Sequence, residues 1–513
     1  MEQRRKVTRR TKLTSLGSHS GPLRLVAFSD YRVQDIELLI EELSKLQPPA
    51  DLVLYAGDDI RRFRPPGGKN LFELIASRAR YGLCVIAGND DEPSVRKLIS
   101  GKSVFNVHLA PVKLGNYGIL GLEGSPYRRD LEGIGYILHS EREIARHLVA
   151  HRRALKGKRL VVVSHSPPEG VLDEAVRFSL DRKPRSIGSR ALRSFLRTYK
   201  NVALVVCGHV HRCGGMHKKF GHSLVVNAAN HDDYSAVGRY AIIDLGPSGR
   251  PTVQWRQIRE TSVVPRIGSP SAERLRNIGI RTVEELANAS VELLQRVPHL
   301  GHSPKVLHAR ARAMAQNKPI LIRPPELPRG PALFLDIETD LGQRYIWLVG
   351  ICAGRHGGYK SFFAETPEDE KQILLRFLDF GNRFPAANIL TCSGCEFERR
   401  VIRNRLSHHG LPTSVCDRIV DLHWILQPSV ALPTDSYRVK EVGGFFGYRY
   451  KHPEWNGFAV ASLYESRYQS LKKETDRRKL AQKLIEYNED DVRCLPFILD
   501  AIDQLARQVS HSP

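Results

Sequence analysis

Residues 202–211 read VALVVCGHVH, six apolar residues followed by Gly208, His209, Val210 and His211. A continuous apolar run of that length, closed by glycine, reads as a strand buried on both faces, and such strands belong to sheets covered by helices. Four runs upstream have the same form and end on a residue able to bind metal: LRLVAFS on Asp30, LVLYAG on Asp58, LCVIAG on Asn89 and LVVVS on His165. In α/β sheets the carboxyl ends of strands converge on one crevice. Asp30, Asp58, Asn89, His165, His209 and His211 are therefore predicted to aim oxygen and nitrogen donors at one place. A mixed set of carboxylate, amide and imidazole suits Mn²⁺, Fe²⁺ or Zn²⁺. Two such ions roughly 3.5–4 Å apart would clamp a phosphate and lower the pKa of a bridging water.

The ordered set of GD, GN, SH and GHxH, with SHSPPEGVLD after the fourth strand and a GSRAL helix start before the fifth, resembles the calcineurin-like metallophosphoesterase superfamily over about residues 23–260. The resemblance implies an αββα sandwich over 23–262, in which Asp58 bridges two ions. Asn89, His165 and His209 would complete one site, and Asp30 and His211 the other. Two positions depart from the family pattern. Arg32 stands where D-x-H has histidine, and its guanidinium stays protonated and cannot ligate a metal. Asp90 stands where many members carry a catalytic histidine. Arg32 is instead a candidate for bidentate contact with a phosphate oxygen, and the other reading of both departures is a retained fold with impaired chemistry. Asp59 and Asp91 read as solvated loop acids or as supports for the neighbouring ligands.

The whole chain is basic. Its 513 residues carry 78 Lys and Arg against 55 Asp and Glu, a net charge of +23, which points to a polyanionic partner and to nucleic acid first. With 41% hydrophobic and 26% charged residues, disorder and fibrous repeats are excluded. No apolar run approaches the ~18–20 residues that span a bilayer, and no signal-peptide pattern opens the chain. The 8 cysteines are too few for a disulfide scaffold, so a reducing cytoplasm is the expected setting. Residues 1–22, with Arg4, Arg5, Lys6, Arg9, Arg10 and Lys12, read as a flexible basic arm.

The α/β alternation runs to Asp244, where Gly246, Pro247, Ser248, Gly249 and Pro251 suggest a break. Residues 270–317 lack strand signals and read as short helices, with Ser269-Pro270 and Ser303-Pro304 as helix starts and Thr282 with Glu285 as a capping box. This segment resembles a helix-hairpin-helix module, in which backbone N–H groups of a glycine hairpin meet a nucleic-acid phosphate. Gly301 occupies the second hairpin glycine and His299 replaces the first; Lys305, Arg310 and Arg312 would contact the phosphate backbone. A small helical spacer with solvated charges is the alternative. A proline-rich linker over 318–331 leads to a second α/β domain over 332–507.

In that domain FLDIET puts Asp336 and Glu338 two apart on a strand, hence on one face. YNEDD puts Tyr487 and Asp491 four apart on a helix, again on one face, with Asp490 turned about 100° away and expected to be exposed. Between them lies Glu398, in CEFERRVIRNR. Carboxylates so clustered repel one another unless two Mg²⁺ or Mn²⁺ ions sit among them. DIET, the Phe397-Glu398 pair, Asp421-Leu422 after a strand, KEVGGFFGY and Y-x-x-x-D resemble the DEDD-type exonucleases of the RNase H-like fold, most closely the YprB-like branch often placed with RecB-like nucleases. The resemblance implies that Asp336, Glu338, Glu398 and Asp491 hold the metals and that Tyr487 orients the attacking water. Arg399, Arg400 and Arg477 are candidate phosphate contacts, with solvated helix faces as the alternative. Cys392 and Cys395 form one C-x-x-C with no second pair, which argues burial over zinc.

The expected protein is thus a multidomain α/β hydrolase, a nuclease of 3′–5′ exonuclease type fused to a metallophosphoesterase domain and acting on DNA or RNA away from membranes. A non-catalytic nucleic-acid-binding scaffold and a small-molecule phosphodiesterase tethered to nucleic acid are the rival readings. Protein partners are not specified by any motif.

Overall fold

The computed structural model divides into two compact units, Met1–Glu260 and Thr261–Pro513. It describes residues 12–33, 35–127, 135–175, 185–230, 237–246, 248 and 250–510. No helix among them is long and apolar enough to cross a membrane.

The first unit is a sandwich of two sheets. Across one, the strand order is Thr252–Arg259, Val237–Leu245, Leu23–Phe28, Leu52–Tyr55, Leu83–Val85, Val104–Asn106; the other is seven-stranded, with Tyr117–Leu122, Arg159–Ser164, Val202–Cys207 and Ser223–Asn227 parallel at its centre. Alternation within the apolar runs builds three layers of core. Leu25, Leu54, Val161 and Leu204 meet between the sheets. Their neighbours Val26 and Val53 turn outward to the helices Ile36–Ser44 and Leu71–Ala76. Val162 and Val205 turn outward to Glu141–Ala154 and Arg190–Thr198. Each fully buried side chain of this kind stabilises by roughly 1.5–3 kcal/mol, so both faces of the central strands are fixed.

Two boundaries differ from the sequence reading. Residues 1–11 of the basic arm lie outside the described residues, but Thr14–Ser15 pairs with Val112–Lys113 and His19 sits edge-on to Tyr81, so residues 12–22 belong to the sandwich. The break after Asp244 is a hairpin connection: Thr252–Arg259 returns antiparallel along Val237–Leu245.

The second unit opens with four short helices, Ser269–Asn277, Val283–Asn288, Val291–Gln295 and Pro304–Gln316, around Leu275, Val283, Leu286, Leu294, Leu307 and Met314. The Thr282/Glu285 capping box forms, whereas the first helix is capped by Gly268 with Ser269 already inside it. Arg310 is fully buried, donating to the Pro265 carbonyl at 2.8 Å and the Gln427 carbonyl at 3.0 Å beneath the Tyr437 ring. It therefore ties the helices to the following domain and is not a phosphate contact. The proline-rich segment is not a free linker either, because Ile320–Leu321 pairs with Val430–Ala431.

The second α/β domain has a five-stranded sheet in the order Tyr359–Phe363, Ile346–Ala353, Ala332–Thr339, Asn388–Thr391, Ile419–Asp421, the first three antiparallel and the last two parallel. On the central strand, Leu333, Leu335 and Ile337 pack with Ile373, Phe377, Val401 and Ile402. Phe334 faces the other way, toward Val492, Leu495 and Leu499 of the long helix Glu474–Ser510. Asp336 and Glu338 share the face of Phe334, which is how the strand delivers them beneath that helix.

Candidate metal centres

In the sandwich, the strand ends bring the donors together as the apolar runs imply. Ligand atoms of Asp30, Asp58 and His165 lie within 4.8 Å of one another, and all three residues are buried. Asp30 Oδ1 is 3.2 Å from His211 Nε2, and its Oδ2 accepts the His209 backbone N–H at 3.2 Å. Asp58 Oδ1 accepts the Asp90 N–H at 3.0 Å, and its Oδ2 is 3.3 Å from His165 Nε2. Asn89 Oδ1 is 2.9 Å from the same nitrogen. The approach depends on Gly88, where a Cβ would stand 1.8 Å from Asp58 Oδ1. His209, ring centroid 5.2 Å from that of His165, has a left-handed backbone at φ 66°. That turn is held by Asn227, whose amide donates to the Gly208 and Val210 carbonyls at 3.3 and 3.1 Å.

The electrostatics fit a cation. His165 Nδ1 lies 2.8 Å from the Ala56 carbonyl, to which it donates, so Nε2 is the atom that faces Asp58 and Asn89. Burial pulls His165 down, but Asp58 and Asp30 override it and push the imidazole up to about 10. A proton thus stands where oxygen and nitrogen donors would hold a metal ion. His209, brought down to about 4 by burial and by His165, keeps its lone pair. Burial would raise Asp30, yet His211 and His165 hold it below the carboxylate range.

Arg32 Nε is 3.4 Å from Asp59 Oδ2, beside the cluster. Asp90 accepts the Asn89 amide at 2.6 Å and so orients its carbonyl oxygen toward His165. Asp91 is buried, accepts the Ile60 and Gly88 N–H groups at 3.1 and 2.9 Å, and is pushed up to about 7 by burial and Asp58; it supports the loop and is not solvated.

In the second α/β domain, ligand atoms of Asp336, Glu338 and Asp491 lie within 4.8 Å of one another. They line a cavity of about 280 Å³ together with Glu398, Tyr487, Phe397 and Phe458. Glu398, in the first turn of Phe397–His408, is buried with Oε2 unpartnered, and Asp491 Oδ1 is likewise buried and unpartnered. Buried orphan oxygens cost about 1–3 kcal/mol each or more when charged. Burial and the neighbouring acids push Glu338 up to about 8 and Asp336 well above the carboxylate range; burial lifts Asp491 to about 6 against the pull of Lys440, and lifts Glu398 to about 7. Four crowded carboxylates with unfilled lone pairs are a donor set for hard divalent cations. Tyr487, buried against Asp491, is held above the tyrosine range by that burial and by the acids around it.

Two residues here, Asn488 and Lys440, escaped the sequence reading, while Asp421, read as part of a motif, takes a supporting place. Asn488 donates from Nδ2 to Asp336 Oδ2 at 2.7 Å, and its Oδ1 accepts the Tyr359 hydroxyl at 2.9 Å. It fits because Gly350 lies opposite Asp336, where a Cβ would stand 1.7 Å from Asn488 Oδ1. Its position three residues before Asp491 on one helix was the available signal. Lys440 places Nζ 3.8 Å from the Tyr487 ring centroid, where Asp491, Glu338 and Asp336 favour its charge while burial lowers its pKa. Asp421 accepts the N–H groups of Ser393, Gly394, Glu396 and His423 at 3.2, 2.8, 3.2 and 3.0 Å and so shapes the loop ahead of Glu398.

The expectations for Asp490 and Arg477 are corrected. Asp490 is buried, accepting the Lys451 N–H at 2.6 Å. Arg477 lies under Tyr468 and 3.0 Å from Glu365, ten residues and about 15 Å along the helix from Tyr487, so it does not reach the cavity. Arg400 donates at 3.0 Å to Gln343, which lines the cavity, and Arg399 pairs with Glu396 at 3.6 Å. Lys305 is exposed on the helix Pro304–Gln316, next to a hairpin in which His299 and Gly301 have φ of 54° and 77°. Cys392 and Cys395 are free thiols, and Cys395 is exposed, so burial does not account for it.

Comparison with known proteins places these centres in families. A model of the calcineurin-like phosphoesterases matches residues 23–213, and a model of the RNase H superfamily matches residues 333–502. No curated protein matches the chain. Among solved structures, TT1561 of Thermus thermophilus is 18% identical with a TM-score of 0.34, covering 45% of this chain and 98% of its own. A Vps29 double mutant from Entamoeba histolytica is 14% identical with a TM-score of 0.23, covering 46% and 100%. Both matched families are hydrolases of the phosphoesterase and nuclease type that use divalent metals. The chain joins a calcineurin-like phosphoesterase domain to an RNase H superfamily domain and is a metal-dependent phosphoester hydrolase.

Proposed function

We propose that the RNase H-like domain is a nuclease of 3′–5′ exonuclease type whose substrate is DNA or RNA, and that the phosphoesterase domain carries a second, separate metal centre. The observation that carries this reading is the convergence of Asp336, Glu338 and Asp491 within 4.8 Å, in a cavity that Glu398 and Tyr487 also line. Mg²⁺ or Mn²⁺ held by these four acids would neutralise the phosphodiester and acidify water. The chain's own groups do the rest. Tyr487, with its raised pKa, keeps its proton and presents an O–H to orient a nucleophilic water. Asn488 fixes the Asp336 carboxylate, and Asp421 fixes the loop before Glu398. Arg399 and Arg400 supply cationic charge, while Lys305 and the +23 charge of the chain add salt-sensitive, sequence-blind affinity for the polyanion.

In the phosphoesterase domain, Asp30, Asp58, Asn89, His165, His209 and His211 are the proposed ligands of Mn²⁺, Fe²⁺ or Zn²⁺. Arg32 is the proposed phosphate contact, and Asp90 the group that orients Asn89. The test is degradation of end-labelled single- and double-stranded DNA and RNA with Mn²⁺, beside a generic phosphodiester, in wild type, Asp336→Asn/Asp491→Asn and Asp58→Asn/His209→Asn. Loss of nuclease activity only with the first pair supports the assignment. Loss only with the second moves the activity to the phosphoesterase domain, and binding without turnover in any metal rejects both.

A further inference from the structure

We propose that His108, Glu123 and His139 form a third metal site, for a zinc-class ion, in the first unit. Their ligand atoms lie within 4.8 Å of one another, and none of the three belongs to the Asp30, Asp58 and His165 cluster. His108 follows the strand Val104–Asn106, Glu123 follows Tyr117–Leu122, and His139 ends the short strand Leu138–His139, so three separate segments deliver one donor each. Glu123 Oε1 is 3.0 Å from His108 Nε2 and 3.9 Å from His139 Nε2, with the Glu123 side chain fully buried. Those separations bracket the ~3.3 Å expected between two ligands on a tetrahedral ion with bonds near 2.05 Å.

His139 Nε2 points the same way, being buried with no hydrogen-bond partner. A second-row support is already built around the donors. Arg96 grips Glu123 through Nε at 3.0 Å and Nη2 at 2.6 Å, and His147, bonded to the Gly121 carbonyl at 2.8 Å, stacks on His108 at 4.2 Å. His147 orients its neighbour without occupying a donor atom, whereas Arg96 bonds Oε1 as well as Oε2, so an ion would share that carboxylate with the guanidinium. Two imidazoles and one carboxylate are a zinc-type set that leaves a fourth position open. The His108 Nε2 proton that now faces Glu123 must leave when the ion enters. It moves to Nδ1, at the expense of a long 3.3 Å contact from the Glu123 backbone N–H.

The experiment measures Zn²⁺ alone. The full chain is stripped with chelator, and ion content and affinity are determined by elemental analysis and titration calorimetry. The variants are wild type, His139→Ala, Glu123→Gln, and a chain carrying Asp58→Asn, His165→Asn, Asp336→Asn and Asp491→Asn, each checked for folding by circular dichroism. The proposal expects the four-substitution chain to keep one Zn²⁺ per chain, and His139→Ala in that background to weaken this binding at least 100-fold. Where the four-substitution chain does not fold, the wild-type series decides: His139→Ala should carry one ion fewer than wild type. Full retention by His139→Ala overturns the proposal, as does a folded four-substitution chain that binds no Zn²⁺.

Discussion

The two candidate metal clusters solve the crowding of ligands in opposite ways. In the sandwich, imidazoles and carboxylates alternate, so His165 faces Asp58 and His211 faces Asp30 at 3.3 and 3.2 Å, and each carboxylate has an imidazole partner. Under the long helix there is no such balance. Asp336, Glu338 and Asp491 meet with the Asn488 amide and the Lys440 ammonium for company. A mixed nitrogen and oxygen centre is stable while waiting for its ions; an all-carboxylate centre stores repulsion that only cations or protons relieve.

The sharpest break in that comparison is Asp336→Asn, expected to lower nuclease turnover at least 10³-fold, since the loss falls on a group acting in the transition state. Hydrolysis of a generic phosphodiester by the other domain should be unchanged, as measured in parallel on the same preparation. Asp58→Asn should do the converse, with a loss of about 10²–10³-fold in phosphodiester turnover and intact nuclease activity. Tyr487→Phe keeps the ring under Lys440 and removes only the hydroxyl, so a fall of about 10–100-fold in kcat with little change in KM is expected.

Stability separates the clusters by pH window. Glu338 and Asp491, raised to about 8 and about 6, bind more protons folded than unfolded. The metal-free second unit should therefore lose stability as pH rises from about 4 to about 8, and Asp336→Asn should recover about 1–3 kcal/mol at the upper end. Calorimetry with chelator present measures both; added Mn²⁺ should flatten the slope. His165, raised to about 10, has the same sign in a higher window: its contribution is complete below about 6.5 and fades toward pH 10. The smallest effect belongs to Arg477→Ala, whose partners are Glu365 and Tyr468. Nuclease activity should change by less than about threefold, as an exposed ion pair of about 0–1 kcal/mol implies.

How much of this was legible depended on where each signal resides. The strand ends were readable because period-two burial and glycine closure are local, and DIET and YxxxD because face-sharing follows from backbone geometry. Asn488 and Asn227 were not, since each acts on a residue far away in the chain through a hydrogen bond that no spacing encodes. Asp490 misled for a related reason: helical geometry turned it away from Asp491, and only the fold placed the Lys451 N–H beside it. Arg310 looked like a phosphate contact among basic neighbours, and burial under Tyr437 gave it a different task.

That buried arginine sets where the second unit can be cut. A fragment starting at Ala332 would leave the Gln427 carbonyl without its donor, the Tyr437 ring without its cover and Val430–Ala431 without the partner strand Ile320–Leu321. The four helices are in this sense part of the RNase H-like domain's own wall. The smallest piece that keeps the wall closed begins at Thr261.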